Sequence, residues 1–159
     1  MCVVIDVNTF HCVFDPSSKF FFEFSPINEW LHNEPRAKLV YGGTRFRQEM
    51  SALGKYFGYL TELRRLKRIA EIDDAAIDLK EVDVRTKVAK GDFDDAHVVA
   101  IFIVSGCRIF CSKDKHADKY LKMRSLYPKG QKRPKIYRGR KHIALLCTGN
   151  LVELRNRIR

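Results

Sequence analysis

Apolar residues fall along this chain in short runs that alternate with stretches spaced as helices. CVVID, residues 2–6, is apolar, rich in β-branched residues and ends on Asp6, the pattern of a short buried strand. Asn8 or Thr9 is placed to cap a helix carrying Phe10, Val13 and Phe14. Residues 15–24 leave strand and helix both open, because FFFEF suits either. Ser25 and Pro26 then read as the N-cap and first-turn proline of a helix through Trp30 and Leu31. AKLVY, residues 37–41, reads as a second strand closed by Gly42 and Gly43. From Thr44 the spacing predicts one long helix, with Phe46, Met50, Leu53, Phe57 and Leu60 on a single stripe. At ~100° per residue Glu49 projects about 60° from Phe46, at the margin of that stripe, whereas Glu62 lies near ~160° and faces solvent.

Lys67 to Ile72 reads as a third strand. Asp73 opens a polar helix expected to reach Lys90, stopped by Gly91. Asp92, Asp94 and Asp95 crowd the start of the next segment, where a helix amino terminus favours negative charge. That segment is apolar nearly all round through Val104, so periodicity does not separate helix from strand. A strand would make Ser105-Gly106 a hairpin turn. The preferred reading is a buried helix capped by Asp94 and ended by Gly106, leaving RIFCS as a parallel strand. Asp114 then starts a helix through Met123 and Leu126, broken by Pro128 and Gly130, and PKIY supplies a last short strand. In the tail from His142, IALLC and LVEL are too short to assign. The alternation predicts an α/β fold, a three-layer α/β/α sandwich with a mostly parallel central sheet. Residues 1–159 are expected to form one domain.

Charge changes the picture because it is lopsided. The chain carries a formal +11, yet residues 1–79 hold 10 Lys and Arg against 11 Asp and Glu. Residues 108–141 hold 13 basic and 2 acidic residues, which fits a phosphate-binding face. Five cysteines, an odd count without paired CxxC spacing, argue against a disulfide framework or zinc module and read as small buried apolar residues. No stretch approaches the ~20 apolar residues of a membrane span, and nothing reads as a signal peptide, so no membrane association and a cytoplasmic location are expected.

In a parallel sheet, groups at the carboxyl ends of the strands face a common crevice. Asp6 and Asp114 follow strands, Asp95 starts a helix, and Glu49 lies in the helix beside the second strand's exit. Gathered carboxylates repel one another unless a cation compensates them. All-oxygen ligation suits Mg²⁺ or Mn²⁺, which polarises a phosphodiester and activates water. Taken singly, Asp94, Asp95 and Asp114 also read as helix caps and Glu49 as a surface residue. Arg45, Arg47, Lys113 and Lys115 flank the acidic positions and are placed to steer nucleic acid or balance charge. Arg133, Lys135, Arg138, Arg140 and Lys141 form a second basic group around Tyr137, which is placed to pack on the sheet or stack on a base. His97 reads as a core or supporting histidine, and His116 as exposed helix surface.

VVIDVNTF, LVYGGTRFRQEM, DDAHVVAIFIVSGCRIFCSKD and PKIYRG together resemble the PIN-domain nuclease family over residues 2–141. The resemblance implies an α/β/α sandwich whose carboxylate cluster binds Mg²⁺ or Mn²⁺. It implies Asp6, Glu49, Asp95 and Asp114 as the acidic positions, with Asn8 and Ser112 as polar positions near them. Asp92 and Asp94 compete with Asp95 for the third place. Many members are endoribonucleases, and many small bacterial ones are toxins held by an antitoxin. The expected function is therefore metal-dependent hydrolysis of single-stranded RNA, with an antitoxin protein or a second copy in a homodimer as further partners. Two alternatives stand beside it. One is a nucleic-acid-binding module of the same fold with weak chemistry. The other is a small-molecule phosphatase, since IDVNTF resembles the strand-end aspartate of haloacid-dehalogenase enzymes, although Asn8 stands where those carry a second aspartate.

Overall fold

The computed structural model describes residues 1–88 and 93–147. Five short strands form its sheet: β1 (Cys2–Ile5), β2 (Lys38–Gly42), β3 (Ile69–Ile72), β4 (Ile109–Cys111) and β5 (Lys135–Tyr137). Their order is β3-β2-β1-β4-β5 and every neighbouring pair is parallel. The helices are α1 (Phe10–Phe14), α2 (Phe21–Asn33), α3 (Thr44–Ser51), α4 (Phe57–Arg65), α5 (Asp74–Lys87), α6 (Ala96–Ser105) and α7 (Asp118–Leu121). All residues of β1 and β4 are buried. A parallel strand covered on both faces needs such an unbroken apolar run, which is why these segments were legible as strands.

Strand order reverses at β1: the chain moves outward through β2 and β3, then crosses back to β4 and on to β5. Right-handed crossovers therefore set the β1-to-β2 connection and the β3-to-β4 connection on opposite faces. α1 packs with α2 in the first connection, and α5 packs with α6 in the second. The result is the three-layer α/β arrangement the alternation predicts. The crevice at its switch point opens between the carboxyl ends of β1 and β4, where Asp6 and Ser112 emerge. Among the described residues no helix is long and apolar enough to cross a membrane.

The apolar segment after Asp95 is the buried helix α6, with Gly106 in the left-handed conformation at φ 70° as its carboxyl cap. Its N-cap is Asp95, not Asp94, and the Asp95 side chain makes no capping hydrogen bond. The polar helix from Asp73 is α5, ending at Lys87; Lys90, Gly91 and Asp92 lie outside the described residues, as does LVEL in the tail. IALLC falls largely within a 3₁₀ segment, Arg140–Leu146.

Three local expectations are corrected. Helix α2 starts at Phe21, so Ser25 and Pro26 are buried inside it and do not open it. Pro26 has no N–H for the Phe22 carbonyl one turn back. Arg140 replaces it, donating from Nε to the Phe22 oxygen at 2.9 Å. The long helix from Thr44 is broken after Ser51 by a 3₁₀ turn, Gly54–Tyr56, before α4 begins. Tyr56, Leu60 and Leu63 become the buried face there, and Phe57 is left 48% exposed. Asp114 does not start a helix. Its Oδ1 accepts the His116 backbone N–H at 3.0 Å, a local turn that competes with helix formation, and α7 starts only at Asp118.

Gly43 links β2 to α3 at φ 87°, and a Cβ there would meet Ile77 Cγ2 at 2.6 Å. The chain can thus turn tightly into α3 only with glycine at this point. The turn places Glu49, on the second turn of α3, beside the same crevice.

Candidate functional site

Asp6 leaves β1 with its backbone still in register, its N–H bonded to the Cys111 carbonyl at 2.9 Å. Its carboxylate is received by groups from both sides of the switch point. Oδ1 accepts the Asn8 N–H at 3.2 Å; Oδ2 accepts the Ser112 hydroxyl at 2.7 Å and the Thr9 hydroxyl at 3.4 Å. Thr9 Oγ1 in turn accepts the Lys113 N–H at 3.1 Å, and Ser112 Oγ accepts the Asp114 N–H at 3.1 Å. The loops after β1 and β4 are therefore tied together by two buried hydroxyls, with Asp6 between them.

The four acidic positions surround two adjoining cavities. Asp6, Asn8, Arg45, Glu49, Asp94, Asp95 and His97 help line one of about 490 Å³. Asp94, Asp95, Asp114, His116, Lys119 and Tyr120 help line the other, of about 520 Å³. Asp95 belongs to both. Its carboxylate accepts no hydrogen bond among the described residues, although it is partly buried.

Electrostatics divides the carboxylates into two pairs. Burial pushes Asp6 above the usual aspartate range, and the Asp114 charge adds to the effect against the hydrogen bonds that oppose it. Burial likewise raises Asp95, helped by the charges of Asp6, Glu49 and Asp114. Glu49 is lowered, first by His97 and then by Arg45. Asp114 is lowered by His116, whose Nδ1 lies 2.7 Å from its Oδ1. One pair thus gives up its protons reluctantly and the other readily.

His97 lies on α6 and is almost wholly buried, its ring packed against Phe46. Nδ1 is 3.2 Å from the Asp94 carbonyl, and Nε2 is 3.4 Å from Glu49 Oε2 without hydrogen-bond alignment. It is a core histidine, placed behind Glu49. Arg45 lies 3.4 Å from Glu49 and 3.6 Å from Asp94, whose side chain is otherwise exposed. His116 is exposed as expected, but on a turn against Asp114 and not on a helix. Glu62 faces outward near His32, away from the site.

The basic positions separate. Arg45 is part of the acidic cluster, and Lys113 and Lys115 are exposed beside Asp114. Lys113 also lies 5.1 Å from the Phe20 ring. Arg47 is held elsewhere, by Asp74 at 2.8 Å and Glu71 at 3.2 Å. Arg138 pairs with Asp118, and Arg140 anchors α2 through Phe22 and Glu23. Lys141 is exposed; Arg133 and Lys135 sit at the opposite, amino-terminal end of β5. Tyr137 is fully buried and donates its hydroxyl hydrogen to the Glu23 carbonyl at 3.1 Å, so it packs on the sheet. Cys2, Cys12, Cys107 and Cys111 are buried free thiols, and Cys147 is an exposed one.

Sequence reasoning missed Thr9 as a site residue, having given it only a capping role. A hydroxyl three residues after a strand-end aspartate was the available signal.

Among the described residues no three His, Cys, Asp or Glu side chains converge at ligand spacing. Mg²⁺ and Mn²⁺ do not require that, since they are held through one or two carboxylates with several retained waters. The donor set fits such an ion on one observation: Asp95, partly buried without a hydrogen-bond donor, lies within the field of three other carboxylates. Comparison with protein-family models, with curated proteins and with solved structures finds no match.

Proposed function

We propose that the chain is a metal-dependent endoribonuclease of the PIN kind, working at the carboxylate crevice between β1 and β4. The observation that carries this reading is the geometry at Asp95: a partly buried carboxyl with no hydrogen-bond donor among the described residues, lining both cavities with Asp6, Glu49 and Asp114 around them. Burial raises it first, and those three charges add to the effect against His97. A divalent cation is the simplest compensation for that arrangement. Bound there, Mg²⁺ or Mn²⁺ supplies Lewis-acid polarisation of a phosphoryl oxygen and lowers the pKa of water. Asp6 and Asp95 would hold it. Glu49, kept ionised by His97 and Arg45, orients a water by accepting its hydrogen bond. Asp114, kept ionised by His116, completes the negative wall on the other side. Lys113 and Lys115, exposed beside Asp114, supply positive charge for the flanking phosphates.

The test is cleavage of an end-labelled single-stranded RNA with Mg²⁺ or Mn²⁺, against the same reaction with EDTA. Asp6→Asn and Asp95→Asn are expected to lower the rate by at least ~10²-fold while circular dichroism stays unchanged. Wild-type rates in both folded variants would overturn the assignment.

A binding module with weak chemistry is the second reading, motivated by the 13 basic against 2 acidic residues of 108–141. RNA binding indifferent to EDTA, with no cleavage on long incubation, would select it.

A further inference from the structure

A second charged surface lies at the other end of the sheet. The amino-terminal ends of β4 and β5, with the turns beside them, enclose a groove of about 670 Å³. Six basic residues line it, Arg108, Lys122, Arg124, Lys132, Arg133 and Lys135, and no lining residue is acidic. β4 runs from this groove to the carboxylate crevice. At ~3.3 Å per residue, Arg108 is therefore roughly 13 Å along the strand from Ser112.

The groove is built and not simply a charged loop. Gln131 Nε2 bonds the Phe102 and Ile103 carbonyls at 2.8 and 3.3 Å, fastening the loop to the end of α6. Lys135 N–H bonds the Arg108 carbonyl at 2.7 Å, fixing the floor. Arg124 Nη1 bonds the Tyr127 and Pro128 carbonyls, and Arg133 Nη1 bonds the Lys122 carbonyl at 2.6 Å. Carbonyl partners orient these guanidiniums but do not neutralise them. Arg108 Nε is buried with no hydrogen-bond partner among the described residues. Lys122 has Asp118 at 3.7 Å; Lys132 and Lys135 have no carboxylate within ion-pair distance among the described residues. Positive charge held in place by backbone groups, and left uncompensated, is matched by a run of phosphates.

We infer that this groove binds the phosphodiester backbone of a nucleic-acid strand at a site separate from the carboxylates. Taking RNA as that strand rests on the endoribonuclease reading. The groove then acts as an exosite, gripping the strand at one end of the sheet while the crevice at the other end receives the scissile phosphate.

The experiment measures binding of a fluorescein-labelled oligoribonucleotide to the full chain in EDTA, across a salt titration, for wild type and Lys132→Ala/Lys135→Ala. Both lysines are exposed, so the variant is expected to fold, with circular dichroism as control. Affinity should weaken roughly tenfold at low salt, and the log K against log salt slope should fall by about 1.4, at ~0.7 per lost phosphate contact. A matching loss with the deoxy strand would identify the backbone, not the ribose, as ligand. Unchanged affinity and slope in the folded variant would overturn the inference, as would no binding by wild type. Cleavage by wild type in Mg²⁺ is scored separately. Groove-dependent binding without cleavage removes the nuclease reading alone, and cleavage with groove-independent binding removes this inference alone.

Discussion

The Ser112 hydroxyl donates to Asp6 Oδ2 at 2.7 Å, across 106 residues of sequence. It joins the ends of two neighbouring parallel strands and holds the one carboxylate that emerges at the switch point. Because Ser112 is buried, water does not replace it freely. Ser112→Ala removes the strongest opposition to the raised Asp6 pKa, so that carboxyl rises further. The expected cost is about 1–3 kcal/mol, read from urea unfolding at neutral pH. If the site cleaves RNA, the acidic limb of its pH–rate profile should also move to higher pH. A loss of stability with an unmoved profile would reduce Ser112 to a structural tie.

Asp95→Asn should raise stability at neutral pH. Folding pushes the Asp95 carboxyl upward, so the folded chain binds a proton there more readily than the unfolded chain. That contribution is fully present below the ordinary aspartate range and is lost as pH rises through the raised value. The amide carries no charge to lose. A gain of a few degrees in melting temperature is therefore expected at pH 7, shrinking towards zero below the usual aspartate range. Equal shifts at both pH values would mean that the charge of Asp95 is not what the site opposes.

A divalent cation should reverse that same strain. Ligand bound only by the folded chain stabilises it by RT ln(1 + [L]/Kd), about 2.7 kcal/mol at a hundredfold excess over Kd. Melting of wild type with and without Mg²⁺ or Mn²⁺ should show a rise that Asp6→Asn and Asp95→Asn both blunt. Calcium offers a further arm, because it occupies oxygen sites without matching the stricter octahedral demand of Mg²⁺. A metal-induced rise of equal size in all three proteins would place the cation elsewhere.

Much of the fold was legible because parallel strands buried on both faces must be apolar throughout. CVVI and IFC follow that rule along their whole length, and β2 follows it after Lys38. Gly106 marked the end of α6 because glycine takes the left-handed cap conformation without steric cost. The site was legible as far as strand ends reach: Asp6 does end β1, and Glu49, not Glu62, faces the crevice. What was not legible depends on partners far away in sequence. The Thr9–Lys113 and Ser112–Asp6 bonds cross more than a hundred positions, and no local pattern encodes them. Asp114 lost its expected helix to a two-residue turn through His116, a competition local propensity leaves undecided. Partners of the basic residues were equally hidden. Arg47, Arg138 and Arg140, read in sequence as nucleic-acid contacts, also hold Asp74, Asp118 and the Phe22 carbonyl of α2.

Pro26 gives the clearest instance of such a distant partner. A proline inside a helix removes the N–H that would serve the carbonyl four residues back, here Phe22. Arg140, 118 residues away, donates to that oxygen at 2.9 Å and lays its guanidinium 4.2 Å from the Phe22 ring. The proline is thus tolerated because a tertiary contact supplies the missing donor. Arg140→Ala should cost about 1 kcal/mol in the natural background, since the Phe22 carbonyl then loses its protein partner. With Pro26→Ala, the restored backbone N–H can take that oxygen, and Arg140→Ala should cost less. Urea unfolding of the four proteins forms a double-mutant cycle, with an expected coupling of about 0.5–1 kcal/mol. Additive effects would show that the Arg140 side chain stabilises α2 through its contact with the Phe22 ring, independently of the proline.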